Sequence, residues 1–323
     1  MLNRDAHKGR KRLCSGGEKT LRSPKGDLFL TGLASRRLVR EILERNHLSL
    51  KKRLGQNFLV DRNVLDRILD SAELTPEDLV IEIGAGLGTL TRIIARRVKK
   101  LWAIEIDRGL VKVLKEAVDS FSNVKIIHAD VLKIKFSRFI IQEFGRIRAN
   151  LTKRIKIIGN IPYSISSTLV RKILEEEPLF QEAWLLLPED VVKRMKALPG
   201  TKAYGSFSIL VNFYAKVKSI RKVSPRVFFP VPKVPSVLVK LEKKKGKKAG
   251  PKDKALFFKL IRASFAKRRK KLSNALKPFL KGELDSSKIQ KASQIDLNRR
   301  GETLSLDEFV KLADCLRELS KTN

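Results

Sequence analysis

Residues 79–95 read LVIEIGAGLGTLTRIIA, and this stretch sets the architecture that we predict for the chain. The apolar run at 79–83 stops at Gly84, as a buried parallel strand does. Three glycines fall within residues 84–88, and a helical pattern begins at Thr89. Glycine lets the backbone turn sharply and approach a ligand closely, and the N-terminus of the next helix then faces that ligand. The stretch therefore predicts a strand, a ligand-binding glycine loop and a helix over 89–98.

The same alternation of strand and helix continues along the chain. Further segments fit strands at 101–106, 124–128, 155–159 and 183–187, and helices at 109–118 and 166–175. Strands that alternate with helices indicate a parallel sheet covered on both faces. Such a sheet binds its ligand beyond the carboxyl ends of the strands. The predicted fold class is therefore α/β, with the functional residues directly after the strands.

Two carboxylates follow the second and third strands. Glu105 lies seventeen residues after Gly88, where a carboxylate can accept hydrogen bonds from both hydroxyls of a ribose. Asp107 competes with Glu105 for this role. Asp130 follows the third strand and could accept a hydrogen bond from an adenine amino group, although a turn aspartate is the alternative interpretation.

The tetrapeptide Asn160-Ile161-Pro162-Tyr163 follows the fourth strand and is the most specific of these motifs. The side-chain oxygen of Asn160 and a neighbouring backbone carbonyl can accept both hydrogens of an exocyclic amine. The ring of Tyr163 offers a face on which a base can stack. An Asn-x-Pro turn beside a core tyrosine is the alternative interpretation. We expect this loop to carry the chemistry.

The charge of the chain predicts a polyanionic partner. The 323 residues include 70 Lys and Arg against 34 Asp and Glu, for a formal net charge of +36. Residues 1–53 and 240–281 together carry +25 of this charge. Contacts that neutralise phosphates and release their counterions favour the binding of such a protein to nucleic acid. Lysine runs that only solvate the surface are the alternative.

Composition disfavours several other classes of protein. Apolar residues make up 42% of the chain, enough for a packed core, and no apolar run approaches the ~18–20 residues of a membrane helix. Cys14 and Cys315 form no disulfide or zinc pattern, so we expect no metal site. We interpret residues 1–30 as a basic disordered extension. Because this segment contains acidic residues, it argues against an organellar transit peptide, and we expect a cytoplasmic protein.

Seven motifs, in this order, resemble those of the ribosomal RNA adenine N6-dimethyltransferases, over about residues 38–276. They are KKRLGQNFL (51–59), EIGAGLGTLT (82–91), AIEID (103–107), NIPYSIS (160–166), YGSFSILVNFYA (204–215), VFFPVPKVPS (227–236) and SFAKRRKKLSNAL (264–276). The resemblance implies a Rossmann-like class I S-adenosylmethionine-dependent methyltransferase sheet with a small C-terminal helical domain. We expect the catalytic domain over 31–245 and an rRNA-binding domain over 253–323, with helices at 254–266, 269–280 and 306–319.

The resemblance also assigns roles to individual residues. The positions that match the family's S-adenosylmethionine site are Asn57, Leu59, Gly84, Gly86, Glu105, Asp130 and Asn160. The catalytic loop matches Asn160, Ile161, Pro162 and Tyr163, and Phe228 matches the aromatic that clamps a flipped base opposite Tyr163. The basic residues that we expect on rRNA phosphates are Arg262, Lys267, Arg268, Arg269 and Lys270. One departure from the family pattern is LLPED at 186–190, at the expected floor of the pocket.

The implied reaction is dimethylation of N6 on two adjacent adenosines in the 3′-terminal hairpin of small-subunit rRNA, by a monomer that acts on rRNA or on an immature subunit. One alternative is the erythromycin-resistance branch, which modifies a large-subunit adenosine, although YGSFS and RRKKLSNAL favour the small-subunit branch. Another is a non-catalytic assembly factor, which would be expected to have lost NIPY or the Glu105 and Asp130 pair. The glycine spacing disfavours a nicotinamide oxidoreductase.

Overall fold

The computed structural model describes residues 35–145, 154–176, 180–244, 250–267, 269–279 and 286–321. The predicted extension at 1–30 lies outside these residues. The described ranges contain nine strands, β1 Phe58–Leu59, β2 Leu79–Ile83, β3 Lys100–Glu105, β4 Val124–His128, β5 Ile155–Asn160, β6 Glu182–Pro188, β7 Ala215–Val223, β8 Phe228–Phe229 and β9 Ser236–Lys243. The first eight helices are α1 Arg36–Arg45, α2 Arg62–Ala72, α3 Thr89–Ala95, α4 Arg108–Val118, α5 Phe136–Phe144, α6 Ser166–Glu175, α7 Glu189–Met195 and α8 Ser206–Tyr214. Four more follow, α9 Lys254–Ala266, α10 Leu272–Leu276, α11 Ser286–Ser293 and α12 Leu306–Leu319.

The main sheet has seven strands in the order β4-β3-β2-β5-β6-β9-β7. Strands β4, β3, β2, β5 and β6 are parallel, as the sequence predicts. The pairs β6–β9 and β9–β7 are antiparallel, so the sheet is mixed at this edge, where the sequence analysis predicts no strand. Strand β7 (AKVKSIRKV) is exposed over most of its length, and its polar residues hide the strand pattern from a search for buried apolar runs.

Alternate residues of the central strands face two different hydrophobic layers. Ile81 of β2 packs with helices α5, α6 and α8, whereas Val80 packs with α2 and α3 on the opposite face. The carboxyl ends of β2, β3 and β5 point to the same edge of the sheet, because these strands are parallel. The layers therefore hold the glycine loop, Glu105 and Asn160 at neighbouring strand ends.

Two elements at the N-terminal side cover the glycine loop. Helix α1 packs on Leu87 of that loop and on Leu110 of α4 through Val39 and Ile42. The short strand β1 pairs antiparallel with β8, with Phe58 opposite Phe229. The GQNFL segment is thus fixed between the glycine loop and the segment at 227–236.

The C-terminal helices pack around a hydrophobic cluster that includes Phe257, Leu260, Phe309 and Leu312. Tyr204 and Ile209 of the preceding region also enter this cluster, and the Tyr204 hydroxyl donates a hydrogen bond to the carbonyl of Leu304, 2.8 Å away. The predicted domain boundaries at 31–245 and 253–323 stay a prediction.

Two C-terminal helices differ from the sequence prediction. The helix expected over 269–280 is α10, a short helix at Leu272–Leu276 followed by a 3-10 turn at Lys277–Phe279. Helix α11 was not predicted, because SSKIQKAS buries only Ile289 and Ser293. No helix in the described parts of the chain combines the length and the apolar character needed to cross a membrane.

Candidate active site

A cavity of about 320 Å³ opens at the carboxyl ends of β2, β3 and β5, within the usual size range for sites that bind small molecules and cofactors. All seven predicted cofactor residues line it, namely Asn57, Leu59, Gly84, Gly86, Glu105, Asp130 and Asn160. Ile161, Pro162 and Tyr163 line the same cavity. The structure therefore brings the predicted cofactor site and the predicted catalytic loop together in one space.

The glycine loop needs glycine at positions where the backbone is left-handed. Gly84 and Gly86 have φ angles of 76° and 58°, which L side chains rarely adopt. A Cβ atom on Gly86 would also lie 3.2 Å from the ring of Phe58. The loop thus forms a cradle of backbone under the GQNFL segment, with room for a ligand and none for added side chains.

Glu105 ends β3 and faces the cavity. Its two carboxylate oxygens accept hydrogen bonds from the backbone N–H groups of Gly86 and Asp107, each at 2.8 Å. Burial raises the pKa of Glu105, although these backbone hydrogen bonds act in the opposite direction. Each carboxylate oxygen can accept more than one hydrogen bond. Glu105 is therefore oriented by the loop and still able to bind hydroxyl groups.

Asp107, the other candidate for the acid that binds the ribose hydroxyls, is engaged in other contacts. Its carboxylate accepts hydrogen bonds from the Lys51 ammonium at 2.9 Å, the Gln56 amide at 3.0 Å and the Gly109 N–H at 2.9 Å. Burial would raise the pKa of Asp107, but these contacts outweigh it and lower the pKa. Asp107 anchors Lys51 and Gln56 at the start of the GQNFL segment and caps α4, which leaves Glu105 as the candidate for the ribose-binding acid.

Asp130 follows β4 and lines the cavity beyond Glu105. One of its oxygens, Oδ1, accepts a hydrogen bond from the Leu132 N–H at 2.9 Å. No residue in the described ranges donates to the other oxygen, Oδ2. The carboxylate is therefore both a turn aspartate and an available acceptor, so the two interpretations drawn from sequence are compatible.

Asn160 ends β5, and its amide is fixed by the GQNFL segment. Its Nδ2 donates a hydrogen bond to the carbonyl of Asn57 at 2.7 Å, which leaves the side-chain oxygen Oδ1 as the acceptor. The Ile161 N–H donates to the carbonyl of Leu186 at 3.1 Å. The Pro162 carbonyl already accepts a hydrogen bond from the Ser166 hydroxyl at 3.0 Å.

Two of the predicted acceptors thus accept no hydrogen bond from the described residues. They are the side-chain oxygen of Asn160 and the carbonyl of Ile161. The Pro162 carbonyl is occupied, so the structure favours the Ile161 carbonyl over that of Pro162 as the second acceptor for an exocyclic amine.

Tyr163 is held at its hydroxyl. The hydroxyl donates to the Val234 carbonyl at 3.0 Å and lies 2.7 Å from Oγ of Ser236. Phe228 is only 1% exposed, packs in the core beneath the cavity and does not line it. The structure therefore does not bring Phe228 face to face with Tyr163, and the predicted base clamp stays a prediction.

The predicted rRNA-binding residues lie in the C-terminal half of α9 and directly after it. Arg262, Lys267, Arg269 and Lys270 are exposed, and Arg268 lies outside the described residues. Exposure at the surface is a requirement for phosphate contacts, so their role stays a prediction that the geometry allows.

Glu82 is a residue of the cavity that the sequence interpretation missed. It lies in β2 directly before the glycine loop, is 1% exposed, and its Oε2 atom has no hydrogen-bond partner among the described residues. Burial raises the pKa of Glu82 to about 8, partly opposed by Thr91 and reinforced by the charge of Glu105. An acidic residue inside an otherwise apolar strand was the signal available in the sequence.

The raised pKa of Glu82 predicts a pH-dependent stability. The folded protein holds this proton more tightly than the unfolded chain, so the associated stability is complete below pH 4.5 and is lost as the pH rises toward about 8. The loss amounts to at most ~1.4 kcal/mol per pH unit. Glu82→Gln removes this dependence, and thermal unfolding should show the variant gaining stability over the wild type between pH 5 and pH 9. Exposed Glu116→Gln is the control, and equal pH profiles for Glu82→Gln and the wild type would contradict the assignment.

Comparison with known proteins supports the same assignment as the geometry of the cavity. A family model described as ribosomal RNA adenine dimethylase matches residues 47–317. The chain belongs to this family. One curated relative is ribosomal RNA small subunit methyltransferase A of Clostridium acetobutylicum. It is 40% identical to this chain over 275 residues, which are 85% of this chain and 96% of the relative.

Solved structures agree on the fold. A dimethyladenosine transferase from Plasmodium falciparum matches with a TM-score of 0.65 and 26% identity, covering 81% of this chain and 96% of that chain. The 23S rRNA methyltransferase ErmE matches with a TM-score of 0.57 and 22% identity, covering 80% of this chain and 99% of its own, and this likeness shows the fold alone. The predictions of the family and of a Rossmann-like class I methyltransferase fold are confirmed.

The cofactor of this family is S-adenosylmethionine, and the residues of the cavity fit it. Glu105 can accept hydrogen bonds from ribose hydroxyls, and Oδ2 of Asp130, to which no described residue donates, can accept one from an adenine amine. At Gly84 and Gly86 the left-handed backbone itself borders the cavity, with no side chain between it and a ligand. The fit rests on this donor and acceptor set and on the lack of a Cβ atom at these two glycines.

Proposed function

We propose that the protein dimethylates N6 of two adjacent adenosines in the 3′-terminal hairpin of small-subunit rRNA, using S-adenosylmethionine. We further propose that it acts in the cytoplasm as a monomer, on rRNA or on an immature small subunit. The observation that carries the proposal is the fixed amide of Asn160, whose Nδ2 is bound to the Asn57 carbonyl at the edge of the cavity. The name of the curated relative described above supports small-subunit rRNA as the substrate, and the description of the family supports dimethylation of adenine.

The cofactor is held by the residues that sequence and structure both place at the cavity. Glu105 would bind the ribose hydroxyls, Asp130 the adenine amine, and the glycine loop would pack along the cofactor. When bound, S-adenosylmethionine supplies a methyl group on a positively charged sulfur. The chain itself supplies binding, orientation and the exclusion of water.

The chemistry requires positioning more than acid–base catalysis. The exocyclic amine of adenine is a poor nucleophile, because its lone pair is delocalised into the ring. Hydrogen bonds from its two N–H groups to Asn160 Oδ1 and the Ile161 carbonyl favour a more tetrahedral nitrogen with a directed lone pair. Preorganised acceptors of this kind stabilise the transition state without moving. The few histidines of the chain are therefore no obstacle.

The target base must leave its stack to reach the loop, which costs a few kcal/mol. Stacking on Tyr163, whose hydroxyl is anchored at Val234 and Ser236, offsets this cost. Phe228 would join the clamp only if its side chain left the core. The methyl group replaces one N–H hydrogen, which leaves as a proton, and the cofactor would depart as the neutral thioether. The monomethylated amine keeps one N–H, which one of the two acceptors can hold for a second transfer. Two adenosines thus take four methyl groups.

The C-terminal helices supply phosphate contacts in this proposal. The exposed side chains of Arg262, Lys267, Arg269 and Lys270 would neutralise backbone charge, and Arg268 is expected to join them. Such contacts position the RNA and carry no sequence information of their own.

The experiment that tests this function compares two RNAs. Purified protein and labelled S-adenosylmethionine are incubated with unmethylated small-subunit rRNA or immature small subunits, and in parallel with large-subunit rRNA. We expect label in N6,N6-dimethyladenosine from the small-subunit samples alone. Label in large-subunit rRNA would favour the erythromycin-resistance branch, and no label in either RNA would contradict the proposed activity.

A further inference from the structure

A basic surface lies on the catalytic domain, apart from the predicted rRNA-binding residues. Helix α7 and edge strand β7 border a groove of about 510 Å³. Four cationic residues line it, Lys193 and Lys196 from α7 and its C-terminal end, and Arg221 and Lys222 from β7. All four are exposed. We call these four residues the α7–β7 basic surface.

The acidic residue that lines the groove, Glu189, does not neutralise this surface. Its carboxylate is shared between two lysines, because it lies 3.1 Å from the ammonium of Lys222 and 3.7 Å from that of Lys193. The hydrogen bond from Lys222 and the charges of both lysines lower the pKa of Glu189. Lys196 bridges the groove to the Ser219 hydroxyl at 3.3 Å. Arg221 has no ion pair within the described residues, so the groove keeps a net positive charge.

One end of the surface adjoins the catalytic loop. Ser236, which holds the Tyr163 hydroxyl, pairs with Pro188 at the end of β6 and with Val223 at the end of β7. Lys222 directly precedes Val223, and α7 begins directly after Pro188. Burial raises the pKa of Tyr163, the hydrogen bond with Ser236 opposes this shift, and the charge of Asp190 on α7 adds to it.

The other end of the surface leads to the C-terminal helices. The segment after α7 reaches Gly200, whose N–H donates to the Glu302 carbonyl at 2.8 Å. Tyr204 follows and bonds to Leu304. A strand of nucleic acid that leaves the catalytic loop at Tyr163 and follows the groove toward the C-terminal helices would therefore run along the α7–β7 basic surface.

We infer that the α7–β7 basic surface binds phosphates of the rRNA strand that flanks the target adenosines. The inference rests on the proposed function for the identity of the RNA. Lysines on an edge strand also protect it against pairing with another sheet, and that role would suffice for Arg221 and Lys222. It does not account for Lys193 and Lys196, which come from a helix and line the same groove. Four cations on two different elements fit a phosphate backbone better than protection of an edge.

The test is a quadruple variant, Lys193→Gln, Lys196→Gln, Arg221→Gln and Lys222→Gln. The matched control removes the same number of charges from the far side of the domain, with Lys99, Lys112, Lys115 and Lys125 each changed to Gln. Binding to a fragment of small-subunit rRNA with its 3′-terminal hairpin is measured from low to high KCl. We expect the plot of log Kobs against log[KCl] to become shallower by about 2 to 3 for the groove variant, with KM for RNA raised at least about tenfold and S-adenosylmethionine affinity and kcat retained.

Each result decides the inference. A salt slope equal to that of the wild type, or an equal drop in slope for the control variant, overturns the α7–β7 basic surface as a binding surface. Self-association of the groove variant with an unchanged slope would show that the cations protect the edge strand. A wild-type protein that binds this RNA without methylating it would contradict the proposed function, while the comparison of salt slopes would still test the surface.

Discussion

Asn160→Ala lowers kcat for methyl transfer by at least about 100-fold, because it removes a fixed acceptor for the target amine. The structure gives the reason for the size of the effect. Nδ2 of Asn160 is bound to the Asn57 carbonyl, so Oδ1 is held in place before the substrate arrives. Rates are measured at saturating RNA and S-adenosylmethionine, so that weaker binding does not contribute. Calorimetric titration with S-adenosylmethionine should show a smaller loss than kcat does.

A second substitution at this position separates orientation from the mere presence of an oxygen. Asn160→Asp keeps an acceptor but directs a carboxylate oxygen toward the Asn57 carbonyl, where the wild type has a donor. We expect Asn160→Asp to be nearly as impaired as Asn160→Ala. Asn212→Ala, at an exposed position of the largely buried helix α8, is the control. Activity of Asn160→Asp close to the wild type would show that the contact with Asn57 is unimportant.

Glu105→Gln weakens the binding of S-adenosylmethionine by about 100-fold or more, which corresponds to ~3 kcal/mol of lost hydrogen bonding to a charged group. The side chain keeps its size, but one oxygen becomes an NH₂ group. That group would face the N–H of either Gly86 or Asp107, which both donate to Glu105 in the wild type. The glycine loop and the ribose acceptor are therefore disturbed together.

Titration calorimetry with S-adenosylmethionine measures this effect directly. Asp119→Asn at the exposed end of α4 is the matched control and should bind like the wild type. A thermal unfolding curve for Glu105→Gln shows whether the fold is retained. Unchanged cofactor affinity in a folded variant would exclude Glu105 as the ribose-binding acid and reopen the case for Asp107.

The sequence predicted those elements best whose burial produces a regular pattern. Strands 79–83 and 124–128 and helices 166–175, 254–266 and 306–319 have the predicted bounds. Strand β7 was missed for the opposite reason. It is an edge strand with exposed lysines and arginines, and its position beside β9 depends on contacts distant in sequence. Local periodicity carries no information of that kind.

In the site, too, some features follow from local sequence and others depend on contacts between distant residues. The positions at strand ends follow from topology, so Glu105, Asp130 and Asn160 could be placed together from sequence. Which acceptors are free could not, because the Pro162 carbonyl is occupied by Ser166 and the Asn160 amide by Asn57. The burial of Phe228, and the lack of a hydrogen-bond partner for Oε2 of Glu82 in the described part of the chain, likewise depend on packing that no short motif encodes.

Mass spectrometry of the rRNA product tests the central claim most directly. Unmethylated immature small subunits are incubated with the protein and S-adenosylmethionine, and the 3′-terminal hairpin is excised and sequenced by fragmentation. The proposed function predicts four added methyl groups, two on each of two adjacent adenosines, and none with Asn160→Ala. Methyl groups on any other nucleotide, or a hairpin that stays unmodified with the wild-type protein, would contradict it.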